Sequence, residues 1–192
     1  MKKRFRFFLG ILLICGELLP APGRAATDPP AKGALFPALT LPGPKNVEDR
    51  DYLGLSTAGP FKLTQLQVPL IIIEIFSMYC PICQKEAPLI NELHQAIEKD
   101  PQLKGQIKLI GIGAGNTLFE VDFFKKKYQV PFPLLPDETF VLHKALGETR
   151  TPYFFVVKLN KGEAPRVIYS ELGGIKRVES FLETIRQSAG LK

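Results

Sequence analysis

The chain is punctuated by continuous apolar runs separated by stretches of helical period. Residues 68–76, VPLIIIEIF, are rich in isoleucine without alternation, the pattern of a central strand covered on both faces. IKLIGIG (107–113) reads as a second buried strand. TPYFFVVKLN, the turn KGEAP and RVIYSEL read as a strand, a turn and a strand. From Cys80 to about Lys99 the pattern is helical, with Leu89, Ile90, Leu93 and Ile97 on one face and Pro88 expected to kink it. NTLFEVDFFKKKYQ reads as a helix capped by Asn116 or Thr117, with Leu118, Val121, Phe124 and Tyr128 on one side.

The remaining segments are less regular. ALFPALTLPGPKNVEDRDYLGLSTAGP mixes short apolar pieces with turn residues and suggests one or two short strands or a hairpin. FKLTQLQ suggests a short strand and a turn, VPFPLLPD an extended segment, and DETFVLHKAL a short helix starting near Asp137. Gly173-Gly174 precedes a final amphipathic helix carrying Ile175, Val178, Leu182 and Ile185. Strand–helix–strand–helix followed by a hairpin and a helix predicts a single α/β domain, residues 34–190, built as a sandwich around a mixed sheet.

The first 25 residues stand apart. MKKRFR is basic, FFLGILLICG apolar, and Gly23-Arg24-Ala25 has the small-x-small form of a cleavage site, the layout of a signal peptide. The apolar part is about ten residues, short of the roughly 20 that a spanning helix needs. An uncleaved anchor is the alternative. Cys15 follows Ile14 rather than a small residue, which favours soluble export over a lipid anchor. A periplasmic or other extracytoplasmic location is therefore expected, with residues 26–33 (ATDPPAKG) as a flexible leader.

Charge changes meaning once this segment is set aside. Of the net +6 of the chain, residues 1–25 hold +4, leaving +2. No nucleic-acid partner is expected from that balance; the protein is separately expected to be a monomer. Lys125-Lys126-Lys127 reads as a solvated helix face, with Asp122 one turn before Lys126 as its pairing partner.

Beyond residue 25 the only cysteines are Cys80 and Cys83. In an oxidising compartment they pair or stay free. A bridge enclosing two residues closes too small a loop to stabilise much, so chemistry accounts for the pair better than stapling. With Cys80 at the start of a helix, Cys83 lies on the same face at i+3, and Pro81 suits the first turn. Unpaired N–H groups at that end favour a thiolate, making Cys80 the nucleophile and Cys83 the thiol that attacks the resulting mixed disulfide. A zinc site would need two more ligands, and His94 and His143 sit on different predicted helices. No metal is expected.

Glu74 interrupts the isoleucine run on the face shared by Leu70, Ile72 and Phe76. A covered strand leaves that face dry, so the carboxyl pKa should rise. Six residues before Cys80, it is placed to relay the proton that Cys83 must lose. The alternative is a glutamate in contact with water at a loose edge of the sheet.

CPICQKEAP, with its proline five residues after the second cysteine, and Thr151-Pro152 before a late strand resemble the thioredoxin superfamily. In particular the string is similar to the Cys-x-x-Cys-x-x-Glu-x-Pro of exported, TlpA-like thiol–disulfide oxidoreductases of the redoxin group. The resemblance covers roughly residues 34 to 188. It implies a thioredoxin-like three-layer sandwich with an N-terminal extension and a redoxin-type helical insertion over 116–137. It also implies a redox-active Cys80–Cys83 disulfide, no further cofactor, and Pro152 as a cis-proline facing that disulfide. Tyr79, Pro81, Ile82, Thr151 and Pro152 are then the expected substrate-binding surface. Glu74 falls where the family carries a buried acid. The chain departs from the family in having Tyr79 where tryptophan is common, and in its Pro-Ile dipeptide, which matches no common pairing.

The expected function is reduction of oxidised substrate proteins, with electrons from a membrane thiol donor and support of cytochrome c maturation as one route. Two other functions fit parts of the pattern. A thiol peroxidase of the redoxin group would carry proline and Thr or Ser seven and three residues before its cysteine, where this chain has Ile73 and Ser77. A copper or haem chaperone would use Cys80 and Cys83 as soft ligands, with Met78 beside them.

Overall fold

The computed structural model describes residues 28–191; the expected signal peptide and the start of the leader lie outside them. Five strands form one sheet in the order β3-β2-β1-β4-β5: β1 Leu70–Phe76, β2 Ile107–Ala114, β3 Leu134–Asp137, β4 Tyr153–Lys158 and β5 Arg166–Leu172. β1 pairs in parallel with β2, and β2 with β3, while β4 is antiparallel to both β1 and β5. This is the mixed sheet of a thioredoxin-like fold, with the central strand buried at all of its positions.

Alternation along β1 divides the core. Leu70, Ile72 and Phe76 meet Ala87, Ile90, Leu93 and Ile97 of α2 (Pro81–Lys99) and Phe181 and Ile185 of α5 (Val178–Ala189). Ile71, Ile73 and Ile75 meet Leu142 of α4 (Val141–Ala145) and the N-terminal residues Phe36, Leu41, Phe61 and Leu63. Sheet and two covering layers give the three-layer sandwich. Helix α3 (Leu118–Lys127), between β2 and β3, is the helical insertion.

Among the described residues, the N-terminal extension contains neither of the expected short strands nor a hairpin. Its extended pieces form only isolated bridges, Leu35 with Arg166 and Leu41 with Phe61, and Leu63–Gln65 make a 3-10 turn where a short strand was expected. Helix α1 (Val47–Leu53) lies where turn residues dominate the pattern. Its signals are local: Asn46 caps the N-terminus by accepting the Asp49 N–H at 2.6 Å, and Gly54 ends it at φ +69°. The described end of the leader is held, since Gly33 donates its N–H to Val167 and accepts from the Arg166 guanidinium.

Pro88 lies inside α2, which runs to Lys99 as expected. Two other side-chain expectations change. On α3, Val121 and Phe124 are buried but Leu118, in the first turn, is exposed, and Thr117 rather than Asn116 caps the helix through a reciprocal pair with Glu120. Lys125 is not part of a solvated face. Its ammonium bonds both carboxylate oxygens of buried Asp49 at 2.6 and 2.7 Å and the Phe132 carbonyl at 2.9 Å. Asp122, the expected partner of the lysine run, forms no ion pair among the described residues.

Removing one member of a paired buried charge strands the other. Lys125→Ala should therefore lower the unfolding free energy by about 2–3 kcal/mol, against less than about 0.5 kcal/mol for Lys126→Ala. Equal shifts of the urea midpoints would contradict the role given to Lys125.

Candidate active site

The site is assembled where β1 ends. Ser77, Met78 and Tyr79 link the strand to α2, and buried Asn116 pins this link. Its Oδ1 accepts the Met78 N–H at 2.8 Å and its Nδ2 donates to Ser77 Oγ at 3.4 Å. Gln84 Nε2 donates to the Met78 carbonyl at 2.6 Å. Cys80 is thereby fixed as the N-cap of α2, with extended backbone (φ −82°, ψ 112°) and Pro81 directly behind it.

Both cysteines are thiols, and their environments are opposite. Cys80 is partly exposed and Cys83 is 1% exposed. Burial would raise the Cys80 pKa, but bonds from the Cys83 thiol, the Thr151 side chain and the N–H groups of Cys83 and Ile82 outweigh it. The net result is a pKa below that of an ordinary thiol. The Cys83 N–H lies 3.2 Å from Cys80 Sγ. As a thiol, Cys80 also donates to the Thr151 carbonyl at 3.4 Å. That bond favours the protonated form, but a thiol is a weak donor. Cys83 is pushed the other way by burial first, then by its bond to Cys80 and by the negative charge of Glu74.

Glu74 is 7% exposed and lies on the α2 face of β1. Burial, and secondarily the charge of Glu86, raise its pKa to about 8. This excludes a solvated position at the sheet edge. Glu86, one turn beyond Cys83 on α2, is the glutamate of the Cys-x-x-Cys-x-x-Glu-x-Pro string, where the sequence assigned it no role. Burial raises its pKa as well, and its Oε2 is buried without a hydrogen-bond partner among the described residues. The signal for it was its position, three residues after Cys83 on a helix whose inner face holds that sulfur.

The predicted binding residues gather around Cys80. The Thr151–Pro152 peptide bond is cis. A cleft of about 560 Å³ contains Tyr79, Cys80, Pro81, Ile82 and Thr151; Pro152 is buried next to it. Tyr79 and Ile82 are well exposed, and the Tyr79 hydroxyl hydrogen-bonds the Glu120 carboxylate of α3. The second cleft, about 510 Å³ by Val68, Pro69 and Leu159, contains no cysteine or histidine. His94 stacks between Tyr52 and Phe132, away from the cysteines. Among the described residues no group of three or more His, Cys, Asp or Glu side chains is assembled as a metal site.

A thioredoxin-like fold with a dithiol at a helix start and a cis-proline beside it defines a class of thiol redox proteins. The chain belongs to the AhpC/TSA family, whose profile matches residues 33–165. It is 21% identical over 125 residues to the thiol-disulfide oxidoreductase ResA of Geobacillus thermodenitrificans, covering 65% of this chain and 68% of that protein. Two solved structures share its fold. StoA from Bacillus subtilis has a TM-score of 0.55 at 18% identity, with 78% of this chain and 96% of that one covered. A secreted Mycobacterium tuberculosis disulfide oxidoreductase homologous to E. coli DsbE has a TM-score of 0.55 at 16% identity, with the same coverage of 78% and 96%.

The pKa of Glu74 fixes a pH effect. A carboxyl whose pKa is raised on folding binds its proton more tightly in the native state, so stability falls as pH rises from the ordinary carboxyl range to about 8. Glu74→Gln should thus stabilise the reduced protein at pH 9, by at most roughly 5 kcal/mol, and change it little at pH 5. Denaturant midpoints at the two pH values test this; an equal gap at both would remove the buried-acid assignment.

Proposed function

We propose that the protein is a thiol–disulfide oxidoreductase that reduces disulfides in other proteins outside the cytoplasm. The observation that carries this reading is the opposed pair of sulfurs. One is accessible with a lowered pKa, and the other is buried with a raised pKa one turn behind it.

The cycle balances in two exchanges. Cys80 thiolate attacks one sulfur of the substrate disulfide, and that S–S bond breaks as the mixed disulfide forms. The departing substrate sulfur takes up a proton. Cys83 then gives its proton to the Glu74 carboxylate and attacks Cys80 Sγ. The mixed disulfide breaks, the second substrate sulfur leaves as a thiolate and takes up a proton, and the Cys80–Cys83 disulfide remains. Glu74 suits this step because its pKa near 8 lets it take a proton and return it close to neutral pH.

The oxidised pair must be re-reduced by a thiol donor, for which a membrane-bound thiol carrier is proposed; the cysteine pair needs no other cofactor. Substrates are oxidised proteins, among them apocytochrome c whose haem-binding cysteines are joined as a disulfide and must be reduced before haem attachment. The pattern of residues 1–25 supports export. No helix among the described residues is long and apolar enough to cross a membrane. The protein acts as a monomer in this reading, without nucleic acid.

The roles of the two sulfurs are separable. Cys83→Ser should accumulate substrates as mixed disulfides on Cys80 at least about tenfold over wild type, because the release step is gone. Cys80→Ser should trap none. Non-reducing gels of the two variants after exposure to oxidised substrate decide it. Equal trapping would reverse the assignment, and rapid peroxide consumption without disulfide reduction would replace it with a peroxidase.

A further inference from the structure

One wall of the cleft beside Cys80 is costly to build and has no part in the exchange chemistry. Phe140, the residue before α4, has a left-handed backbone at φ +59°, where a bulky residue is an outlier and strain of order 1–3 kcal/mol is stored. Its ring lies over Gly115, which is itself left-handed at φ +66°. A Cβ at Gly115 would come within 2.2 Å of Phe140 Cζ. Two left-handed residues thus combine to set one aromatic ring into the cleft wall. The ring is still 41% exposed, so burial of apolar area does not account for the arrangement.

The wall is held from behind. His143 meets the Phe140 ring edge-on at 5.7 Å, and its Nε2 pairs with the Thr149 carbonyl at 2.7 Å. Asp137 accepts the N–H groups of Leu142 and His143 at 3.0 and 2.8 Å, anchoring the first turn of α4. Arg150, next to Thr151, lines the same cleft. It is exposed and forms no ion pair among the described residues. No Asp or Glu lines the cleft, so Arg150 supplies its one fixed side-chain charge.

We propose that this wall is a side-chain subsite that selects the disulfides this protein reduces. Phe140 over Gly115 receives a bulky apolar or aromatic residue next to the attacked cysteine, and Arg150 receives a carboxylate nearby. The occupant is a segment of an oxidised substrate protein with that pairing of side chains. The inference rests on the reductase reading and adds its substrate preference. The subsite opens on the surface that holds Cys80, which any disulfide must cover for its sulfur to reach Sγ. Aromatic contact at the wall is worth a factor of about three to ten, and an exposed Arg–carboxylate pair up to about fivefold.

The test is competition among four disulfide-bridged peptides that differ at two positions beside one cysteine, Phe or Ala at one and Asp or Lys at the other. Product thiols are separated by mass, and kcat/KM ratios come from a single reaction, so loss of folded enzyme cancels. Wild type should favour Phe over Ala by about three- to tenfold and Asp over Lys by about fivefold. Arg150→Glu should invert the Asp–Lys preference and keep that for Phe. Phe140→Ala should abolish the Phe preference and keep that for Asp. Wild type reducing all four within twofold of one another overturns the subsite while leaving the reductase reading standing, as do variants with unchanged ratios. A wild type that reduces none, with Cys83→Ser trapping none, overturns the reductase reading and the subsite with it.

Discussion

Much of this molecule follows from one constraint: the central strand carries a carboxyl on a face that no water reaches. Helices α2 and α5 cover that face, and Leu70, Ile72 and Phe76 fill it around Glu74. Desolvation dominates the balance, and the charge of Glu86 adds to it, raising the Glu74 pKa to about 8. The Glu86 carboxyl packs against Gly174, where a Cβ would fall 1.7 Å from Glu86 Oε1. Burial on the dry face of the sheet and the charge of Glu74 make negative charge unfavourable at Cys83. The N-terminus of α2, a few residues earlier, makes it favourable at Cys80. The difference between the two sulfurs is thus a property of where β1 stops.

The parts of the fold that were legible in the sequence are those whose signal is local and repeated. Isoleucine runs define β1 and β2, and the period of Ile90, Leu93 and Ile97 defines α2, because burial on both faces or on one leaves different patterns. What escaped was decided by tertiary contact. Helix α1 is short, and turn residues obscure its capping signals. The role of Lys125 depends on Asp49, which is far away in sequence and is brought close by packing of α1 near α3. Leu118 matches the apolar period of α3 but lies in the first turn, outside the face that Val121 and Phe124 bury.

The site divides in the same way. Cys80, Cys83 and Glu74 were legible because they share one short stretch in which strand alternation and helix position fix their geometry. Thr151 and Pro152 came from family resemblance, and the structure brings them to Cys80 from residues 71 and more positions away. The wall formed by Phe140 and Gly115 had no sequence signal. Nothing about a phenylalanine in DETF indicates a left-handed backbone, and the glycine that makes room for it lies on another element.

The raised pKa of Cys83 does not obstruct its part in the proposed cycle. Four causes raise it: burial, the bond it donates to Cys80, the charge of Glu74 and the charge of Cys80. In the reduced protein all four hold the proton in place, so Cys83 stays a thiol while Cys80 is the better nucleophile. Once Cys80 has entered a mixed disulfide, its sulfur carries no negative charge and is a poor acceptor, so the bond to it and its charge both fall away. Ionised Glu74 is then both the remaining charge opposing a Cys83 thiolate and the base that can take its proton. Transfer removes that opposition at the moment the thiolate forms. Burial alone is left to oppose the thiolate, and it also makes the unsolvated sulfur a reactive one. The resolving thiol is therefore restrained before substrate arrives and released by the covalent step that requires it.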